Sequence, residues 1–524
     1  MSEELLKLDY VSVESLLKQR FAGEKIRTLK DLPPPQSLCN LVEIAQCIKV
    51  AMQEKKRIVI VGDYDVDGVV SCAILHEFFD KIGYAVTIEI PNRFSDGYGL
   101  SLSVIERLEC DVIITVDNGI NAVEAAQMCK DRGIMLLITD HHTPKEVLPD
   151  ALICNPKLSN NFPEPEICGA CVAWYLCAAL KAQIGLEVAM VEFLDLLALA
   201  IVSDVMPLRG MNRVLLKKGL EVFKKSKRLA LVHLKEQFFK QEINEQCIGY
   251  YIAPLLNCAG RMDSAMLAYA FLVEKDKEHS KVLLEKLLAM NGERKALQNA
   301  MYAEAKVNAQ KDKDKPFIVA FNPSWHEGIV GIIAARLSEE FIKPSIALTQ
   351  KDGILKGSMR SNCVDCMQVL ESVREHLNAF GGHFGAAGLS LKQEALEGFK
   401  NALESFEYTA VNKASKWSGV LGYLPLSAIN ARFFKMVQEF APFGNANAIP
   451  KFYVRGRIAN VRYFGVGHSQ IYLKEFKATC SALAFNQDLR EYKHQEIECL
   501  CTLQWDHYMQ NVVLCVEHYV LVES

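Results

Sequence analysis

Between Lys56 and about Pro156, short aliphatic runs and longer helical stretches take turns along the chain with unusual regularity. "RIVIVGD", "AVTIEIPN", "DVIITVDNG", "IMLLITDHH" and "DALICNP" read as strands. "VVSCAILHEFFDKIG", "SLSVIERLE" and "NAVEAAQMCKDRG" lie between them and read as helices. The aliphatic runs show no period-two alternation, as expected of strands buried on both faces. Runs of this kind, each followed by a helix, predict a doubly wound parallel α/β sheet. Helices then dominate, with "CVAWYLCAALKAQIG" and "VEFLDLLALAIV" as core helices. From Lys277 to Gln310 helical periodicity runs without a proline, which predicts a rod about 50 Å long joining two lobes. "PFIVAFNPSW" opens a second α/β unit, and the last ~120 residues hold several short β-type runs at the spacing of a small closed barrel. The expected divisions are an N-terminal extension (1–45), a first α/β domain with a helical part (46–276), a connecting helix (277–312), a second α/β domain (313–405) and a barrel (406–524).

A chain of 524 residues exceeds what one hydrophobic core organises, in keeping with this division. The most apolar stretch, "FLDLLALAIVSDVM", is broken by Asp195 and Asp204 and is too short to span a bilayer. The N-terminus lacks the apolar run of a signal peptide, so a cytoplasmic protein with no membrane partner is expected. A formal charge of −4 makes no global case for nucleic acid, but charge is unevenly spread. Arg209–Lys235 carries nine lysines and arginines against one acid, Glu221. Alone, that is a solvated face; beside a catalytic site it becomes a phosphate-backbone contact. The 17 cysteines show no framework spacing and read as small core hydrophobes of a reducing compartment. Two CxxC pairs, Cys168/Cys171 and Cys363/Cys366, lack supporting His or Cys neighbours, so zinc is not expected there.

The chemistry gathers where strands end. Asp63, Asp65 and Asp67 follow the first strand, Asp117 the third, and Asp140, His141 and His142 the fourth. The carboxyl ends of parallel strands share one edge, where ligands bind, so these residues should converge. Asp204 follows a very apolar helix, where an isolated charge would be costly. Any one of these acids could be a helix cap or turn former. Together, as oxygen donors with imidazole and no thiolate, they suit Mn²⁺ or Mg²⁺.

"GDYDVDG", "TVDNG", "TDHH" and "SDVMPL" resemble, in order and spacing, the four motifs of the DHH phosphoesterase superfamily. "PNRFSDGYGLS", "LNCAGRMDSA", "WHEGIVGIIAARL", "GSMRS", "GGHFGAAG" and "APFGNANAIPKF" narrow the resemblance to the RecJ family of single-strand-specific 5′ exonucleases. Val61, Met359 and Phe384–Gly385 depart from that family's usual residues, and none of the three is an implied ligand. The resemblance implies two divalent cations held by Asp63, Asp65, Asp117, His141 and Asp204, with Asp117 bridging. It implies that Asp67 and Asp140 orient the ligands and that His142 stabilises charge on the phosphate. It also implies a DHH-associated substrate domain followed by an OB-fold.

In that second lobe the glycine-rich turn "GGHFGAAG" presents Gly381, Gly382 and His383, and the expected phosphate contacts add Arg261, Ser358, Arg360 and Ser361. Trp325 and His326 are read as core rather than as stacking platforms. The function implied is a metal-dependent 5′→3′ single-stranded-DNA exonuclease of repair and recombination, acting as a monomer, with a helicase and a single-strand-binding protein as further partners. Two other readings are a two-lobed DHH enzyme acting on short RNA or cyclic dinucleotides, and a non-catalytic DHH scaffold. The appended barrel disfavours the first. The complete set of ligand aspartates disfavours the second.

Overall fold

The computed structural model describes residues 5–238, 242–408 and 417–522. Its first sheet contains β1 (Ile58–Val61), β2 (Thr87–Glu89), β3 (Val112–Val116), β4 (Met135–Thr139) and β5 (Leu152–Cys154). The spatial order is β2-β1-β3-β4-β5, and every pair is parallel. Alternate residues of one strand serve two cores, which is why no polar face interrupts the aliphatic runs. Ile58 and Ile60 pack with α2 (Leu41–Gln53), α3 (Val66–Lys81) and α6 (Gly169–Ile184), after α1 (Tyr10–Gln19). Val59 and Val61 pack with α4 (Leu102–Arg107) and α5 (Val123–Asp131) on the other face. The strand order reverses beside β1, and in such sheets the crevice at the reversal is the ligand site.

After α7 (Leu194–Ser203) and α8 (Gly210–Lys225), a 35-residue helix runs from Lys277 to Lys311. That corresponds to about 52 Å. Its Leu283, Leu284 and Leu287 lie in the core of the first lobe, whereas Met301, Ala305 and Ala309 lie in the core of the second. One helix is therefore structural in both lobes and fixes their spacing. The second lobe's sheet, β6 (Ile318–Phe321), β7 (Ser345–Lys351), β8 (Ile354–Arg360), β9 (Ala379–His383) and β10 (Ala386–Lys392), has the order β6-β7-β8-β10-β9. Only its β6–β7 pair is parallel.

The C-terminal strands β11 (Val420–Tyr423), β12 (Lys451–Phe464), β13 (His468–Glu475), β14 (Ala478–Ala484), β15 (Glu496–Asp506) and β16 (Asn511–Leu521) form a barrel closed by β12 against β15. The N-terminal residues do not stand apart as an extension. The backbone at Leu6 and Leu8 bonds Tyr423 of β11, and Leu8, Val13 and Leu17 complete the barrel's core. From Ile26 onward the chain belongs to the first lobe. Among the described residues, no helix is long and apolar enough to cross a membrane.

The basic stretch keeps Lys217, Lys224, Lys225 and Lys227 exposed, as a solvated face should, but its arginines are engaged within the protein. Arg209 and Arg213 donate to the carbonyls of Ala446, Phe440 and Ala441, which join the first lobe to the barrel. Arg228 lies half-buried between Glu77 and Asp195. These arginines are structural. Glu77 sits about 18 Å along α3 from Asp65, so Arg228 lies well away from the strand ends.

Candidate metal centre and substrate cleft

Each presumed ligand is delivered by a local device. Asp63 ends β1, and its Oδ1 accepts from the Tyr64 amide at 2.7 Å. Asp65 is the N-cap of α3, accepting from the amides of Asp67 and Gly68. A Cβ on Gly68 would lie 2.5 Å from the Asp63 backbone, so only glycine lets the helix start this close to the strand end. Asp117 follows β3 in the left-handed region, φ +63°. Asn118 anchors that turn, donating to the carbonyls of Val61 and Val116 and accepting from the Leu100 amide. Asp204 caps the C-terminus of α7.

The convergence expected of these residues is what the structure contains. Asp63, Asp65 and Asp117 form one group whose ligand atoms all lie within 4.8 Å of one another; Asp67, His141 and Asp204 form a second, and Asp117, His141 and His142 a third. His141 Nε2 is 3.1 Å from Asp117 Oδ1 and 3.6 Å from Asp204 Oδ2. Those two carboxylate oxygens are buried and find no hydrogen-bond partner. Burial, and then the neighbouring carboxylates, push Asp63 and Asp117 well above the ordinary range. The same two causes raise Asp67 to about 6 and Asp204 to about 9. Burial and the adjacent His142 lower His141 to about 3, so its imidazole is neutral and can offer a lone pair. Orphaned carboxylate oxygens, mutual repulsion and a neutral imidazole fit a pair of divalent cations.

Asp67 and Asp140 are tied to backbone. Asp67 accepts from the amides of Gly169 and Ala170 at the start of α6, at 2.6 and 2.9 Å. A Cβ on Gly169 would lie 2.6 Å from Asp117 Oδ1, so glycine is needed there too. The "CGAC" motif therefore works through its two middle residues. Cys168 and Cys171 are fully buried thiols whose pKa burial raises, and among the described residues no cysteine joins a candidate metal group. Asp140 Oδ1 accepts from His142 Nδ1 at 2.8 Å and from the His142 amide at 3.0 Å, while Oδ2 accepts from Ile120. Burial opposes the charged form of His142, but the Asp140 hydrogen bond and charge, with Asp63 and Asp65 behind them, outweigh it and raise the imidazole to about 9.

Across the gap, His383 stacks on His142 with ring centroids 6.1 Å apart and planes 13° from parallel. The "GGHFGAAG" segment is not a glycine-rich turn in the sense expected. It is a hairpin in which Gly381, Gly382 and His383 belong to β9 and pair with Gly388, Ala387 and Ala386 of β10. The alternation of glycine with small residues hides a strand, because strand formers are absent from it. Arg360 donates to Ser358 Oγ and to the Met359 carbonyl, and Arg261 to the Gly328 carbonyl. Ser361 is buried, and its hydroxyl accepts from the amides of Cys363 and Val364, so it braces the turn after Arg360 rather than facing the gap. Trp325 is 5% exposed and donates to Glu304, a core residue as expected. His326 instead meets Phe94 of the first lobe edge-to-face at 5.6 Å.

Sequence reasoning missed three neighbours of this cleft. Arg93 lies over the Tyr64 ring at 4.5 Å. Arg294, on the long helix, is 6% exposed and, among the described residues, bonds the neutral side chains of Asn291 and Gln298 and no carboxylate. Arg261 feels both: burial first, then Arg93, Arg360 and Arg294, lower its pKa to about 10. Four like charges thus crowd one place. Tyr98 is the third, its hydroxyl 3.3 Å from His142 Nε2.

Known proteins share this order of domains. Residues 57–201 match the N-terminal domain of the DHH family, 314–409 the DHHA1 domain and 422–517 the RecJ OB domain. The single-stranded-DNA-specific exonuclease RecJ of Dickeya dadantii is 32% identical, over 97% of this chain and 96% of its own length. This chain belongs to the RecJ family. The RecJ of Escherichia coli is 31% identical, covering 90% of this chain and 87% of its own length. The structure of Thermus thermophilus RecJ in complex with Mn²⁺ superposes with a TM-score of 0.83 at 28% identity, over 99% of this chain and 79% of that one.

Proposed function

We propose that this RecJ-family chain is a single-strand-specific DNA exonuclease that works from the 5′ end and hydrolyses phosphodiester bonds with two divalent cations, Mn²⁺ or Mg²⁺. The observation that carries the reading is the meeting of buried carboxylates and a neutral imidazole, at one edge of a parallel sheet, with a crowd of arginines drawn from both lobes and the helix between them. In it Asp63, Asp65, Asp117, His141 and Asp204 would hold the ions, and Asp117 belongs to two of the three ligand groups. When bound, the ions supply charge neutralisation, an acidified water and a clamp on the scissile phosphate.

The protein's own groups do the rest. Asp67, fastened to α6, keeps the start of α3 and hence Asp65 in register. Asp140 keeps His142 protonated and aimed, so that its Nε2, which Tyr98 now meets, can donate to the phosphate as negative charge develops there. Arg261 and Arg360, joined by Arg93 and Arg294, hold neighbouring phosphates, and Ser358 orients Arg360. His383, beside Gly381 and Gly382 at the end of β9, takes the phosphate of the 5′-terminal nucleotide. The setting is DNA repair and recombination in the cytoplasm. There a helicase would supply single strands, a single-strand-binding protein would cover them, and the chain would act as a monomer.

The test is purified protein with end-labelled single- and double-stranded DNA in Mn²⁺, Mg²⁺ and EDTA. Mononucleotides should appear from the 5′ end of single strands only, and none in EDTA. Release from the 3′ end, or equal attack on duplex, would overturn the reading.

A further inference from the structure

Most of the ligand set is held from within the first lobe. Asp63 and Asp65 accept backbone amides of their own turn, and the His141 amide donates to Asp140. Asp204 differs. Its Oδ2, like Asp117 Oδ1, has no hydrogen-bond partner, and its place depends on the backbone of the loop that carries it. The next residue, Val205, sits in the left-handed region at φ +54°, where a β-branched side chain is strained. Strain of this kind persists only if the surroundings over-determine it.

The surroundings that do so belong to the segment leading into the barrel. Asn445 donates through Nδ2 to the Val205 carbonyl at 2.9 Å, and its own carbonyl accepts from the Leu208 amide at 2.7 Å. One residue thus clamps both sides of the loop that follows Asp204. The clamp is stiff. Asn447 is buried and donates to the carbonyls of Phe440 and Pro442, and two mutual backbone bonds join Gly444 to Asn447. Phe443 is anchored through its amide on Glu245 at 2.9 Å, and Arg209 donates to the Ala446 carbonyl at 3.0 Å.

We propose that Asn445 is a positioning residue for the metal ligand Asp204, so that the docked C-terminal domain sets the cation affinity of a site in another lobe. The inference rests on the assignment of Asp204 as a ligand. It goes further in giving the barrel a second task besides holding nucleic acid. A ligand displaced by a fraction of an ångström binds a cation more weakly, and that is the observable.

The experiment uses full-length protein carrying Asn445→Ala, Asn445→Asp or Asp204→Ala. Mn²⁺ binding is followed by titration calorimetry and by electron paramagnetic resonance, alongside the Mn²⁺ dependence of turnover. Asn445→Asp keeps size and the backbone contact with Leu208 but cannot donate to Val205. Its added negative charge would by itself tighten a cation, so weaker binding in this variant reports the lost bond. Both Asn445 variants should bind one Mn²⁺ roughly fivefold more weakly, the effect of one hydrogen bond. The Mn²⁺ needed for half-maximal turnover should rise in parallel, while turnover at saturation and single-strand affinity in EDTA stay within about twofold. Unchanged Mn²⁺ binding in both variants overturns the proposal, even if thermal stability falls, because a purely structural role would give that result. If Asp204→Ala also leaves Mn²⁺ binding intact, the ligand assignment itself is wrong. If only Asp204→Ala weakens it, the assignment stands and the clamp does not.

Discussion

Asp117 combines three unfavourable features: a left-handed backbone, full burial, and an oxygen without a partner. Each would destabilise a structural residue, and together they mark a position kept for its chemistry. Asp117→Ala should therefore lower hydrolysis by several orders of magnitude while leaving single-strand affinity in EDTA nearly intact. Turnover within a few-fold of wild type in saturating Mn²⁺ would remove it from the centre. The same repulsion predicts that Mn²⁺ raises the melting temperature of the wild type, and raises that of Asp117→Ala much less. A second buried acid lies away from the centre. Burial raises the Glu245 carboxyl above its ordinary 4.5, against the Phe443 amide that lowers it. The folded state thus holds the proton more tightly than the unfolded one, so stability falls as pH rises from 4.5 through the folded value. Glu245→Gln keeps an acceptor for Phe443, so it should melt higher than wild type at pH 8 and nearly together with it at pH 4. A constant difference across that range would refute the sign. Residues like Asp63 or His141 were legible in the sequence because strand ends share one edge. Arg294 and Asn445 were not: Asn445 bonds Val205 and Leu208, remote in sequence, and Arg294 sits among charged helix positions that resemble a solvated face.

The long helix shows how far periodicity reaches. Its length follows from the pattern to within a residue, since proline-free helical spacing needs no tertiary knowledge. What it does is visible only in three dimensions, because Leu287 and Met301 belong to different cores. A four-residue insertion after Ala296 would shift the second lobe by about 6 Å and turn it by about 40°. His142 and His383, now 6.1 Å apart, would lose each other. Turnover should then drop at least about a hundredfold while Mn²⁺ binding is unchanged, because misplacement by an ångström already impairs positioning. Retained turnover would mean that the lobes reach their working distance by another route. The hairpin at Gly381–Gly388 taught the opposite lesson. Glycine and alanine carry little strand preference, and β9 and β10 exist there because their neighbours in the sheet supply the pairing.

Across the whole molecule, chain order and spatial order part company. Leu8, Val13 and Leu17 complete a barrel whose own strands begin after residue 419, so the barrel's core contains both ends of the described chain. Nothing in the local pattern of those residues distinguishes that destination from packing on the first lobe. The arrangement predicts different fates for two truncations. Residues 1–408 keep the N-terminal helix with its apolar face uncovered and should aggregate, whereas residues 23–408 should stay soluble. The shorter protein should bind long single strands more weakly and with a shallower dependence on salt, because fewer counterions are released when the barrel no longer tracks the backbone. Very short strands, held only between the two lobes, should be bound about equally by both proteins. Filter-binding isotherms from 50 to 300 mM salt (about that range) separate the possibilities. Equal slopes for the full chain and for residues 23–408 would leave strand-holding to the two lobes alone, and the barrel's contact with the Asp204 loop would then be its main contribution to the reaction.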